Sequence, residues 1–421
     1  QHAFFKELKG REPYKYDPQI LTDLMKMSTR YHRARRQGKS EADIEEAFHQ
    51  PRSMTIFSWE GEIDTVMSPM DSLKYYAQIL ETGMVSIDPR SGFVKAWVGG
   101  IDFRYFKYDH VAQSKRQVGS TFKPFVYATA MQNGWKPCDQ ALNQPVVFEN
   151  VDGEGNDWIP KNADGQYGGY MTLRRALATS TNLITARLMD AVKPSTVVKT
   201  AYRCGIETPL EAVPSLCLGA ADLSVLELTG SYGTFANEGI HLKPIFITRI
   251  EDQKGNVLAN FAPATQKAFN PKVAYLMVEL LKGVVDEPGG TASRLRYRYG
   301  FENEIGAKTG TTQNHADGWF VGVTPNLVSG VWVGCSDRRM RFYSMKQGQG
   351  ASMALPIWAH YMKATYEDEQ LKVPQLRFSA PRGFNMNLNC SEVMASNLQE
   401  GNESYRPNAR LMRSDDFSDF E

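Results

Sequence analysis

No stretch of this 421-residue chain is apolar for the roughly 18–20 residues that a membrane-crossing helix needs, and no signal peptide opens it. The chain starts at Gln1 inside what reads as structured sequence, and it is expected to be part of a longer protein. Charge of one sign is scarce: 48 basic residues stand against 47 acidic ones, so a nucleic-acid partner is not expected. The one basic cluster, Arg30-Tyr31-His32-Arg33-Ala34-Arg35-Arg36, ends a predicted helix, where cations complement the helix dipole. Five cysteines (Cys138, Cys204, Cys217, Cys335, Cys390) form no Cys-x-x-Cys and no Cys/His spacing for a metal, so neither metal nor cofactor is expected. The odd count leaves at least one thiol unpaired in a monomer, and buried small hydrophobes are the expected role. No internal repeat is visible. Hydrophobic content of 42% with 23% charge describes a soluble globular protein, long enough for one large domain or two ordinary ones.

Residues 1–52 read as two helices and a linker. Asp17-Pro18 opens the first, with Ile20, Leu21, Leu24 and Met25 at helical spacing; Ser40-Glu41-Ala42-Asp43 resembles a capping box before the second. A strand over Met54–Trp59 and a helix capped by Asp71 and running to about Glu81 follow. Met84–Ile87 and Phe93–Val98, joined by Asp88-Pro89-Arg90-Ser91-Gly92, predict a hairpin. Helical patterns dominate from about 120 to 237, a second hairpin is expected over 245–261, and Pro271–Val285 returns to helix. The last strands are Ile305–Thr312, Gly318–Val323 and Leu327–Val333. Strands at both ends with helices between them predict an α+β fold: one antiparallel sheet, flanked by helices and carrying an all-helical insertion. The expected organisation is a helical connector over 1–52, a main domain over 53–370 and a polar tail over 371–421.

Three short motifs carry the chemistry: Ser120-Thr121-Phe122-Lys123, Ser180-Thr181-Asn182 and Lys308-Thr309-Gly310-Thr311-Thr312. A Ser-x-x-Lys arises about once or twice by chance in a chain this long, so the information lies in finding all three in this order. Ser120 follows Gly119 at the start of a helix, and Lys123, three residues on, is its neighbour on that helix. Phe122, Phe125 and Val126 surround the lysine with apolar bulk, and desolvation lowers an ammonium's pKa until the amine can serve as a base. Ser180 and Asn182 are two apart and diverge on a regular helix, so the chain must turn there for both to reach one cleft. A cap accounts equally well for Ser-Thr-Asn at a turn, and the two roles are compatible. Functionally, the Ser180 hydroxyl would relay a proton and the Asn182 amide would hold a substrate carbonyl. Lys308 to Thr311 lies on a strand in which Thr309 and Thr311 share a face and Gly310 admits close approach. An extended peptide would pair with this edge, Lys308 and the two hydroxyls would bind a carboxylate, and the N–H groups of Ser120 and Thr311 would form an oxyanion hole.

These residues resemble the transpeptidase domain of class A penicillin-binding proteins. The similarity spans about residues 84–365 and includes Val98-Gly99-Gly100-Ile101-Asp102-Phe103, Arg116 through Phe125, Trp158-Ile159-Pro160-Lys161-Asn162, and Lys308 through Gly322. The resemblance implies a serine D,D-transpeptidase with Ser120, Lys123 and Ser180 as catalytic residues and Asn182, Lys308, Thr309, Gly310 and Thr311 binding substrate. Peptidoglycan stem peptides and β-lactams are the implied partners. A D,D-carboxypeptidase and a β-lactam sensor without turnover are the alternatives. It further implies an upstream glycosyltransferase module and a membrane anchor, with the enzyme on the periplasmic side of the cytoplasmic membrane. Val118 stands where such proteins often carry proline, and no Glu-x-x-Leu-Asn between Ser180 and Lys308 supplies the deacylating glutamate of a class A β-lactamase.

Overall fold

A computed structural model describes residues 14–399 apart from 152 and 313, with side chains up to residue 395. Residues 1–13 of the expected connector and 400–421 of the expected tail lie outside the described residues. At the centre is a five-stranded antiparallel sheet built from β1 (Glu81–Ile87), β2 (Val94–Val98), β3 (Gly306–Thr311), β4 (Asp317–Val323) and β5 (Val328–Gly334). Its order is β3-β4-β5-β1-β2, so strands from opposite ends of the sequence meet where β5 pairs with β1, Val331 opposite Met84. β3 is the edge strand, with Lys308 opposite Val321 of β4.

Every residue of β4 and β5 is buried, because helices cover both faces of the sheet. Six helices matter for the site: α1 (Lys123–Gln132), α2 (Leu173–Ala178), α3 (Asn182–Val192), α4 (Val225–Ala236), α5 (Pro271–Asp286) and α6 (Gly350–Glu367). α6 packs on one face, its Trp358 lying where a side chain at Gly322 would collide with it. α4 packs on the other, with Thr229 against Gly330. α1 is buried from Lys123 to Met131, and Phe125 packs there against Tyr232 and Phe235 of α4. Truncating a core aromatic of this kind costs about 3–5 kcal/mol, so this cluster fixes where α1 starts.

The N-terminal part differs in detail from the sequence reading. It holds three helices, Gln19–Met27, Thr29–Arg36 and Glu41–His49, because Ser28 adopts an extended conformation and its hydroxyl caps the second through the Tyr31 N–H. The Ser40/Asp43 capping box is present. The strand Arg52–Ser58 is half of a hairpin completed by Gly61–Met67. Ser68, not Asp71, caps the next helix, which ends at Ala77; Asp71 supplies the N–H that Ser68 accepts. Met25, Ile44 and Phe48 form a small core of their own with Met70 and Leu73. Tyr14–Lys15 pairs with Arg341–Phe342 and ties this part to the main body.

Residues beyond α6 run back over the body. Phe378, Phe384, Met386 and Leu388 pack on the main core, and the Phe384 ring meets Tyr275 of α5 edge-on at 4.9 Å. This path carries Cys390 to Cys138, just past α1, and the two form a disulfide across 252 residues. The expectation that the cysteines are buried small hydrophobes thus fits Cys204, Cys217 and Cys335 and is corrected for the other pair. A pairing at that separation leaves no local pattern to read.

Cross-linking two points so far apart restricts the unfolded chain strongly, by about 2–5 kcal/mol in typical cases. Cys390→Ser is expected to lower the melting temperature by several degrees, and dithiothreitol should lower the wild type to match. Calorimetry with and without reductant checks this; identical melting in both would show that the bond does not stabilise the body.

Candidate active site

Ser120 sits in a 3-10 turn, Gly119–Phe122, that runs straight into α1 at Lys123. The expected helix therefore starts one tight turn later than its first residue suggests, and Pro124 falls in the first turn of α1, where its missing N–H leaves nothing unpaired. The Thr121 hydroxyl donates to the Val118 carbonyl at 2.7 Å, and Tyr232 of α4 donates to the Thr121 carbonyl at 2.6 Å, fixing the turn from both sides.

Ser180 lies in the left-handed region at φ 59°, a conformation few non-glycine residues adopt. Its N–H donates to the Leu177 carbonyl and that of Thr181 to the Ala176 carbonyl, which closes α2 in a Schellman motif. Glycine usually fills that position. Here a serine fills it, and the reversal of direction lets Ser180 and Asn182 face the same neighbour, Lys123 of α1. The Lys123 ammonium donates to the Ser180 carbonyl (2.6 Å), the Ser180 hydroxyl (3.3 Å) and the Asn182 Oδ1 (2.7 Å). From the strand side, Lys308 donates to the same Ser180 hydroxyl at 2.9 Å and to the Thr309 carbonyl at 3.0 Å.

Both lysines are wholly buried. Loss of solvent brings the Lys123 pKa down to about 7, and burial together with the charge of Lys123 pushes Lys308 well below the usual lysine value. The Cys217 thiol near Lys123 is itself pushed up by burial, so it stays neutral and supplies no counter-charge at neutral pH.

β3 meets the serine turn through two glycines. A side chain at Gly310 would lie 2.6 Å from the Val118 carbonyl oxygen, and one at Gly119 2.6 Å from that of Thr311. The remaining strand residues separate. Thr311 lines the cleft, and its hydroxyl accepts the Gly350 N–H at 3.2 Å. Thr309 donates to the Thr291 hydroxyl at 2.8 Å. Ser120, Asn182, Thr311 and Thr312 open on a cleft of about 240 Å³, with Lys123, Ser180 and Lys308 behind it. Trp158, Gln117 and Ser215 are among the other residues of its wall.

Three supporting features had no role assigned from sequence. Arg116 forms a buried ion pair with Asp317 at 2.6 Å, donates to the carbonyls of Cys335 and Ser336, and stacks on Trp332. It anchors the strand leading into Gly119 to the ends of β4 and β5. Trp319 of β4 donates to the Gln117 carbonyl at 2.8 Å. Asn162 accepts the N–H groups of Asn182 and Leu183 at 3.0 and 3.1 Å. Arg116, Asn162, Asp317 and Trp319 all lie in segments quoted for the resemblance, and Thr291 lies in none; what hid their contacts is sequence distance.

A lysine whose folded-state pKa is depressed is protonated in the unfolded chain and neutral in the folded one between the two values. The unfolded state then binds more protons, so stability rises with pH from about 7 towards the ordinary lysine value, 10.5, and is lost again as pH falls. Lys308→Met removes one of the two contributors. Its stability between pH 7 and 9 is expected to rise less steeply than that of the wild type, by up to about 1.4 kcal/mol per pH unit. Denaturant melts across that range check it; equal slopes would contradict the buried, depressed Lys308.

Residues 82–336 match the family described as penicillin binding protein transpeptidase domain, and residues 4–80 match the penicillin-binding protein middle domain. The chain is 35% identical over 328 residues to penicillin-binding protein 1A of Aquifex aeolicus, covering 76% of this chain and 43% of that protein. It is 34% identical over 307 residues to penicillin-binding protein 1A of Neisseria gonorrhoeae, covering 70% and 38%. The chain thus spans less than half the length of the curated relatives it matches. Among solved structures, penicillin-binding protein 1A from Haemophilus influenzae aligns with a TM-score of 0.65 at 26% identity, over 72% of this chain and 49% of that one. The imipenem acyl-enzyme complex of penicillin-binding protein A from M. tuberculosis shares the fold, with a TM-score of 0.55 at 19% identity over 68% and 74%.

Proposed function

This chain belongs to the penicillin-binding protein transpeptidase family, and we propose that it is a serine D,D-transpeptidase that cross-links peptidoglycan stem peptides through an acyl-enzyme on Ser120. The observation that carries this reading is the pair of desolvated lysines converging on one hydroxyl, Lys123 at 3.3 Å and Lys308 at 2.9 Å from Ser180 Oγ, directly behind a cleft that exposes Ser120.

The neutral amine of Lys123 takes the Ser120 proton, and Ser120 Oγ attacks the carbonyl carbon of the penultimate D-alanine. The N–H groups of Ser120 and Thr311 stabilise the oxyanion of the tetrahedral intermediate. As the C–N bond breaks, the Ser180 hydroxyl gives its proton to the leaving amine of the terminal D-alanine and regains one from Lys123. An acceptor amine then attacks the ester carbonyl, and Ser120 is released with its proton restored. The second N–H of the Asn182 amide, beyond the one given to the Lys161 carbonyl, holds the donor peptide's carbonyl from the other side of the cleft. The edge position of β3 supports pairing of an extended donor peptide with Lys308–Thr311.

The hydroxyls of Thr309 and Thr311 have partners in Thr291 and Gly350, and Lys308 is enclosed. Gripping the terminal carboxylate therefore requires the Thr309 hydroxyl to exchange partners, whereas the Thr311 O–H can still donate, and the arriving anion favours protonation of Lys308 behind them. β-Lactams would acylate the same serine; a protein of this fold from M. tuberculosis forms an acyl-enzyme with imipenem. The disulfide between Cys138 and Cys390 suits an oxidising, extracytoplasmic compartment, which supports placement on the outer face of the cytoplasmic membrane. No helix among the described residues is long and apolar enough to cross a membrane; the membrane anchor and glycosyltransferase module are proposed from the likeness to penicillin-binding protein 1A, of whose length this chain spans less than half.

Ser120→Ala is expected to abolish covalent labelling by a fluorescent penicillin, read by intact mass and peptide mapping; labelling that persists at another single residue would overturn the assignment. Lys123→Ala should slow acylation by about 10²–10⁴-fold. In the wild type, the acylation rate should climb through pH 7 and level off above it, because the amine acts only when neutral. A midpoint near the ordinary lysine value, 10.5, would contradict the role of Lys123. A stem-peptide donor offered an amine acceptor should yield cross-linked product; hydrolysed tetrapeptide alone would indicate a carboxypeptidase.

A further inference from the structure

We propose that Asn162 is a positioning residue for acylation: its side-chain amide caps α3 from another part of the chain and thereby sets the Asn182 amide against Lys123. The proposal rests on the acyl-enzyme reading above and goes beyond it.

Helix α3 lacks the cap its sequence promises. Thr181 stands at the capping position in an extended conformation, yet its hydroxyl caps no helical N–H. It exchanges a hydrogen bond with the Thr179 hydroxyl at 2.9 Å instead and reaches the Met171 sulfur at 3.8 Å. The first two N–H groups of α3, those of Asn182 and Leu183, go to Asn162 Oδ1. An exposed helix start could leave these donors to water, but Leu183 is fully buried and a buried donor without an acceptor is costly.

Asn162 is equipped for this and is held in place. It is 8% exposed, and its Nδ2 donates to Asn143 Oδ1 at 2.8 Å and to the Gln166 carbonyl at 2.7 Å. Those two acceptors determine which end of the amide faces α3. The residue before it acts on the same target: the Lys161 carbonyl accepts the Asn182 Nδ2 at 2.7 Å. With Nδ2 committed there, the Asn182 Oδ1 is left pointing at Lys123 Nζ, 2.7 Å away. Both the backbone and the side-chain orientation of Asn182 are therefore set by residues 161 and 162, in the segment that also brings Trp158 to the cleft.

The test compares wild-type, Asn162→Ala and Asn162→Asp proteins in acylation by a fluorescent penicillin, each at the maximum of its own pH–rate curve. Working at the maxima keeps a charge at position 162, acting on Lys123, Lys308 or Cys217, from being mistaken for a lost cap. Asn162→Ala is expected to acylate about 10–100-fold more slowly while still folded, the scale of loss that a displacement of about 1 Å produces. Asn162→Asp keeps an acceptor for both N–H groups but gives up the two Nδ2 hydrogen bonds to Asn143 and Gln166, and is expected to acylate at a rate clearly above that of the alanine variant and below that of the wild type. Amide exchange at positions 182 and 183 should quicken in the alanine variant only. An alanine variant as fast as the wild type would overturn the proposal, as would equal slowing in both variants. A wild type that takes up no penicillin would instead overturn the acyl-enzyme reading, and the exchange rates would still decide whether Asn162 holds the turn.

Discussion

Two desolvated lysine amines share one serine hydroxyl in a dry site, and the rest of the architecture serves that arrangement. No carboxylate acts appreciably on Lys123; burial dominates its environment, and the Lys308 amine meets it at the Ser180 hydroxyl. Such a cluster is held against its own electrostatics, and only a rigid surround keeps it together. α1 provides part of that surround by being buried along nearly its whole length. The Schellman turn provides another by forcing Ser180 into a left-handed conformation. The glycine-on-glycine crossing of β3 and the serine turn provides the third, since any side chain at Gly119 or Gly310 would push Lys308 and Ser120 apart.

The large features of the fold were legible in the sequence because they are written locally. The hairpin of β1 and β2, the three C-terminal strands and α5 all follow from runs of apolar residues bounded by turn residues. The need for a turn at Ser180 was also legible, since two residues at i and i+2 cannot serve one cleft from a regular helix. What escaped was whatever depends on partners far away. Asn162 reaches α3 across about twenty residues, Arg116 finds Asp317 across 201, and Cys138 finds Cys390 across 252. Local capping signals misled where they competed: Ser68 outbid Asp71 because a hydroxyl one turn earlier already satisfied the helix start.

The strand motif was only half legible. Alternation along β3 correctly separates Lys308 and Gly310 from Thr309 and Thr311, and the structure spreads these residues over three environments. Lys308 is enclosed with Ser180, Thr309 turns to Thr291, and Thr311 alone of the two threonines lines the cleft. Sequence spacing shows which side chains share a face; it does not show what already occupies that face.

The pairing of β5 with β1 also has a consequence for how the chain is made. Residues 81–98 leave the ribosome early as a hairpin whose β1 edge awaits Val328–Gly334, the last strand of the sheet to be synthesised. Until then that edge is an unpaired template, apolar and competent to join the wrong strand, and folding is slow where contacts are this distant in sequence. Chaperone demand should therefore persist from the emergence of this hairpin until Val328–Gly334 has followed it. Chains truncated before residue 328 should aggregate through β1 although all of their nucleophile helix is already present.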